Sequence, residues 1–202
     1  VKGMAASGDG TVGDNTIDGA IHTQRVNQRA TAGKLFKMPK PTIAALPGAA
    51  AGAGLSFALA CDLRVMASSA IMTTAFARVG FSGDYGGTYF MTQLLGTAKA
   101  RELYFMPGKF KSEEALRIGL VSKVFPRETF AADVDLIIDQ IAKLAPLAVG
   151  ELKRNFISAE NMSLRDYIAI ETERHGRTGS SEDSKEAFKA FVEKREAVFN
   201  GR

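Results

Sequence analysis

Pro47 to Asp62 reads Pro-Gly-Ala-Ala-Ala-Gly-Ala-Gly-Leu-Ser-Phe-Ala-Leu-Ala-Cys-Asp, and this stretch constrains the fold more than any other. A short apolar run, Thr42 to Leu46, precedes it between Pro41 and Pro47 and reads as a buried strand. Leu55 to Cys61 is apolar on nearly every side and long enough for two helical turns, so it reads as a buried helix. The Gly and Ala between them remove side-chain bulk and let backbone approach a ligand, or other backbone, closely. A strand, a tight turn and a buried helix leave unpaired N–H groups at the helix start. Those groups suit an anion or oxyanion, although the same small residues also serve plain close packing. No Gly-Lys-Ser/Thr follows, and Gly52 with Gly54 does not complete a dinucleotide fingerprint.

Composition narrows the class. The 202 residues are 46% hydrophobic and 24% charged, which suits one globular domain with a helical extension. The net charge of +4 is spread along the chain, without the arginine-rich arm or aromatic interleaving of a nucleic-acid binder. A lone cysteine, Cys61, excludes an intrachain disulfide framework and fits a reducing, cytoplasmic setting. Placed in the buried helix, it reads as a small core residue. His22 and His175 are far apart, so no metal site is expected. No run of about eighteen apolar residues suggests a membrane span.

Along the chain, Ala6 to Gly19 is aperiodic and polar, a surface loop. Ile17 to Phe36 carries Ile21, Val26 and Ala30 at helical spacing and reads as one amphipathic helix. Lys34, Lys37 and Lys40 near its end suit a helix C-terminus or a phosphate contact. Leu63 to Met66 and Ala70 to Thr74 read as strands. Between Arg78 and Thr88 lies a glycine-dense loop with one carboxylate, Asp84. Helices from Thr88 to Leu95 and Thr97 to Phe105 are divided by Gly96. Ser112, with Glu113 and Glu114, starts a short helix ended by Gly119, and Leu120 to Phe125 gives a last strand. After Pro126 only helical periodicity remains, marked by Val134, Ile137, Ile141 and later Phe188, Phe191, Val192 and Phe199. Ser163-x-x-Asp166 and Asp183-x-x-Glu186 read as caps, and Asn200-Gly201 as a helix stop. The expected division is an α/β core over 1–126 and a helical region over 127–202. The phenylalanines would pack that region on the core or on a second subunit.

Lys40-Pro-Thr-Ile-Ala-Ala-Leu-Pro-Gly48, the Gly/Ala turn, Ala60-Cys-Asp-Leu-Arg64 and Gly119-Leu-Val-Ser-Lys-Val124 resemble the enoyl-CoA hydratase/isomerase (crotonase) superfamily, in order and in spacing. The resemblance implies an α/β fold with a crotonase-like ββα spiral core and a helical C-terminal trimerisation region. It also implies a homotrimer or dimer of trimers, an acyl-CoA substrate and no cofactor beyond that thioester. In the family an Asp-Val/Leu-Lys-x-Met stretch follows several strands, so Val1-Lys2-Gly3-Met4 implies strands upstream of Val1.

By the same resemblance, the Ala53 N–H, supported by Gly52 and Gly54, holds the thioester oxygen while an enolate forms. Its partner N–H would come from a turn upstream of Val1. Losing one such donor costs about 2.7–4 kcal/mol of transition-state stabilisation. Hydratases of the family place glutamates where this chain has Ser56 and Phe76, neither of which activates water as a carboxylate does. Asp84 aligns with an acidic residue used by enoyl-CoA isomerases, a ring-epoxide isomerase of phenylacetate breakdown and aromatic-acyl-CoA dehalogenases. A lone carboxylate suffices to move a proton between carbons; the plain alternative is that Asp84 bonds loop amides. Phe81 and Tyr85, with Tyr89 and Met72, are candidates to line the acyl pocket or the core. Phe191 and Lys194 match residues that meet the CoA nucleotide from a neighbouring subunit. The expected chemistry is isomerisation of a double bond or ring epoxide. The rivals are hydration, dehalogenation or hydrolysis, and a non-catalytic acyl-CoA-binding subunit. Asp62 and Arg64 are expected to pair as structure.

Overall fold

The computed structural model describes residues 16–202; Val1 to Met4 and the part of the Ala6–Gly19 loop before Thr16 lie outside them. The chain then follows a repeated path of strand, strand and helix. β1 (Ile43–Leu46) leads to β2 (Ala50–Ala51) and α3 (Ala53–Leu59); β3 (Leu63–Ala67) leads to β4 (Ile71–Thr73), a 3₁₀ turn (Phe76–Val79) and α4 (Gly87–Phe105). Each turn of this spiral lays its strands beside those of the turn before. β1 and β3 pair in parallel with Ala45 opposite Val65, and β2 and β4 pair in parallel with Ala50 opposite Met72. β5 (Phe110–Lys111) joins the second sheet antiparallel to β4. After α5 (Ser112–Arg117), β6 (Lys123–Phe125) joins the first, in the order β1-β3-β6. This is the expected ββα spiral. Its core holds Leu55, Leu59, Val65, Met66, Met72, Met91 and Leu120, all nearly free of solvent. β3 is paired in parallel on both sides and buried from Arg64 to Ala67, which is why it reads as a largely apolar run without alternation.

Four helices follow: α6 (Phe130–Ala142), α7 (Pro146–Ala159), α8 (Leu164–Gly179) and α9 (Glu182–Glu193). α6 covers β3 with Phe130, Val134 and Ile137. Ser163 caps α8 by accepting from Asp166 N at 3.3 Å, as its spacing predicts. None of the helices is long and apolar enough to cross a membrane, among the described residues.

Several local expectations are corrected. Ile17 to Phe36 is two helices, α1 (Ile17–Ala30) and α2 (Ala32–Lys37), broken at Thr31. Its apolar positions Ile21 and Val26 remain about half exposed. Cys61 lies beyond α3, half-buried in the following turn, where burial pushes its thiol pKa up. Ser112 is the first residue of α5 rather than its cap, and its hydroxyl donates to the Ser68 carbonyl at 2.8 Å. α9 is capped by Ser181, not Asp183. The buried Asp183 carboxylate instead accepts from Asn200 N (2.7 Å) and Gly201 N (2.9 Å), so Asn200-Gly201 anchors the tail and ends no helix. Asp62 pairs with Lys153 at 2.7 Å, while Arg64 donates to the Leu120 and Cys61 carbonyls. Phe188, Phe191 and Val192 do not pack on the core: they are 73%, 84% and 79% exposed.

Candidate active site

The turn into α3 starts at Gly52, whose φ of 51° and ψ of −123° suit glycine and strain any L side chain. Ala53 is the first helical residue, so its N–H has no intrahelical acceptor. The Gly52 carbonyl accepts from Ser56 N (3.0 Å) and from Ser56 Oγ (3.3 Å). Ser56 is fully buried, whereas Gly54 faces open space. The Phe76 ring packs beside Gly52 and lies parallel to the Tyr104 ring, centroids 6.4 Å apart.

The second wall is the loop between the 3₁₀ turn and α4. Positive φ at Gly80, Gly83, Tyr85 and Gly86 folds it tightly. Its position is fixed from outside, because Gln28 of α1 accepts from Tyr85 N at 3.0 Å. The Tyr85 ring rests on Phe57 of α3, centroids 4.5 Å apart. Asp84 heads into this wall with one carboxylate oxygen, Oδ1, sealed from water and without a hydrogen-bond partner among the described residues. Burial pushes its pKa above the ordinary carboxylate value. A carboxylate with an idle lone pair and raised basicity is equipped to take a proton from carbon.

Tyr104, near the end of α4, completes the cluster. Its hydroxyl lies close to Ser56, and its pKa is pushed up to about 12: burial raises it most, Ser56 lowers it, and the Asp84 charge adds a smaller rise. Gly87 makes this approach possible, since a Cβ there would collide with both Ser56 Oγ and the Tyr104 hydroxyl. Gly87→Ala is therefore expected to cost about 1–3 kcal/mol through overpacking, read as a lowered urea midpoint. An unchanged midpoint would contradict this packing.

The structure thus brings together Gly52, Ala53, Ser56 and Phe76, with Tyr104 between them and the loop that carries Asp84, Gly54 at the open lip and Tyr85 on Phe57. It does not bring in Phe81, which is 62% exposed. Phe191 is likewise bare and Lys194 closes α9 in a left-handed conformation, so within one chain neither joins an enclosed site. Sequence reasoning missed Tyr104, Gly87 and Gln28. The doubled glycine at 86–87 carried a signal of close approach; Tyr104 in Glu102-Leu103-Tyr104-Phe105 looks like any core aromatic. An apolar groove of about 550 Å³ lies elsewhere, lined by Pro41, Ile43, Ile138, Ile141 and Leu144. Its one charged lining residue is Lys40.

The spiral fold agrees with the comparisons. The enoyl-CoA hydratase/isomerase family model matches residues 10–202, and the chain belongs to that family. A probable enoyl-CoA hydratase of Rhodobacter capsulatus is 34% identical over 168 residues, covering 83% of this chain and 65% of the relative. A 1,2-epoxyphenylacetyl-CoA isomerase of Escherichia coli is 32% identical over 169 residues, covering 84% and 64%. The crystal structure of an enoyl-CoA hydratase from Bacillus anthracis superposes with a TM-score of 0.87 at 28% identity, covering 93% of this chain and 72% of that one. The chain thus spans about two thirds of the length of these relatives.

Proposed function

We propose that the protein processes acyl-CoA thioesters as an isomerase. Asp84 removes a proton from the carbon beside the thioester and returns it further along the acyl group. The Ala53 N–H meanwhile holds the thioester oxygen as negative charge gathers there. One observation carries the reading: the Asp84 carboxylate is raised in basicity, with an unpartnered oxygen, in a loop that packs on α3 through Tyr85 and Phe57, and Ser56 and Phe76 offer no second carboxylate. A double-bond or ring-epoxide shift needs one group that both accepts and returns a proton. The substrate's own thioester delocalises the charge, so the step calls on no further cofactor. Phe191 and Lys194 would meet the CoA nucleotide of a neighbouring subunit, and the exposed face of α9 would be covered in a homotrimer or dimer of trimers. Sedimentation of the purified protein should then give a mass that is a multiple of three chains; a monomer would remove that part.

Hydration is the second reading, favoured by the name of the Rhodobacter relative. Product analysis separates the two. With a 3-enoyl-CoA, the protein should yield the 2-enoyl isomer, and with crotonyl-CoA almost no 3-hydroxyacyl product. Rapid water addition to crotonyl-CoA would replace isomerisation with hydration, and no product from any thioester would leave a binding subunit. The pH profile is a further check. Asp84 acts as a base only when ionised, so kcat/KM should rise with pH through a midpoint above the ordinary carboxylate value, the direction in which burial moves this group. A rate independent of pH across that range would argue against Asp84 as the base.

A further inference from the structure

The peptide between Asp84 and Tyr85 is held at both ends. Its carbonyl accepts from Gly87 N at 3.0 Å, and its N–H donates to Gln28 Oε1 at 3.0 Å. The first bond closes a turn over residues 84–87 with positive φ at both central residues, Tyr85 (47°) and Gly86 (74°). That turn makes no use of the Tyr85 N–H. Its acceptor comes from outside, and Gln28 brings it from 57 residues away in the chain. A planar peptide fixed at its oxygen and at its nitrogen cannot swing, and the torsion that joins Asp84 to it is fixed as well. We propose that Gln28 is a positioning residue for the proton shuttle: its amide oxygen, carried on α1, pins the Asp84–Tyr85 peptide and so sets the direction of the Asp84 carboxylate. The inference rests on the reading of Asp84 given above.

Three features of the site support it. Tyr85 is a bulky residue in the left-handed region, where a side chain of that size stays only when its surroundings hold it. Its ring rests on Phe57, so the residue that Gln28 grips also ties the loop to α3, the helix that begins at Ala53. Asp84 Oδ1 is buried without a hydrogen-bond partner among the described residues, so no bond at that oxygen aims the carboxylate and the backbone has to. α1 buries none of its own residues, so removing this one bond leaves the core intact and its effect on Asp84 can be read by itself.

The test replaces Gln28 by Met, which keeps the length and the helix preference but loses the acceptor, and by Glu, which keeps an oxygen at the same reach. Hydrogen exchange at the Tyr85 amide is followed by NMR in the substrate-free, ¹⁵N-labelled protein, and turnover of a 3-enoyl-CoA is measured in parallel. In Gln28→Met the Tyr85 amide should exchange about tenfold faster, the worth of one hydrogen bond. There kcat should fall about tenfold to a hundredfold, with KM nearly unchanged. Gln28→Glu should keep the protection and most of kcat, and both variants should melt close to wild type. Unchanged exchange in Gln28→Met would overturn the clamp. Faster exchange with an unchanged kcat, a loss carried by KM, or a Glu variant as slow as the Met one would overturn the positioning role while leaving the Asp84 reading intact. Isomerisation that survives Asp84→Asn would overturn the Asp84 reading and the positioning role with it.

Discussion

Asp84→Asn is expected to abolish conversion of a 3-enoyl-CoA to its 2-enoyl isomer, by about 10²–10⁴-fold in kcat, while CoA-ester binding stays close to wild type. Asn keeps the shape of the side chain and loses only the basic oxygen. The loop around it is set by positive φ angles and by Gln28, not by the carboxylate, so the wall should stand. Stability gives an independent sign. The pKa of Asp84 is higher in the folded chain than in the unfolded one, so ionisation opposes folding. The wild type therefore loses stability as pH rises from the ordinary carboxylate value through the raised one. The variant escapes that loss and should be at least as stable as wild type at neutral pH. A variant that is inactive but also strongly destabilised at neutral pH would mark Asp84 as structural.

Lys153→Met should lower the free energy of unfolding by about 3 kcal/mol, the low end for breaking a buried pair, with a melting temperature lower by roughly 10 °C. The Lys153 ammonium is almost wholly buried and donates to the Leu35 carbonyl (3.0 Å), the Lys40 carbonyl (3.2 Å) and Asp62 Oδ2 (2.7 Å). Asp62 Oδ2 also accepts from Thr42 N (2.6 Å) and Thr42 Oγ1 (2.8 Å). One cation therefore joins α2, the approach to β1, the turn after α3 and the helical region through α7. Met matches the volume but satisfies none of the acceptors. The Asp62 side chain is 30% exposed, so water offsets part of the loss, which sets the estimate at the low end. Equilibrium urea unfolding reads the difference, and a loss below 1 kcal/mol would show that packing alone docks the helices.

What the sequence disclosed tracks how local each cause was. The prolines around Thr42 to Leu46, the Gly96 break in α4 and the Ser163 cap act on their own neighbours, and the chain obeys them. Apolar pattern marked β3, β4 and the helices after Pro126, because a covered strand and an amphipathic helix each leave a run or a period. Partners distant in sequence left no such trace. Asp62 binds Lys153 rather than Arg64, and Asp183 binds the chain end rather than its own helix start; each choice depends on what the fold carries past the carboxylate. Within the site, the small-residue turn announced a bare amide, and family resemblance singled out Asp84. Neither pattern nor resemblance reached Tyr104, which enters only because α4 folds back and Gly87 leaves it room.

The account turns on one carboxylate carrying one proton between two carbons, and isotope transfer tests it directly. A 3-enoyl-CoA deuterated at the carbon beside the thioester is converted by the protein in ordinary water, and the product is examined by NMR. Relay by a single shielded Asp84 predicts deuterium at the carbon that becomes newly saturated. A 2-enoyl product with no label there, or deuterium transfer that persists in Asp84→Asn, would contradict it.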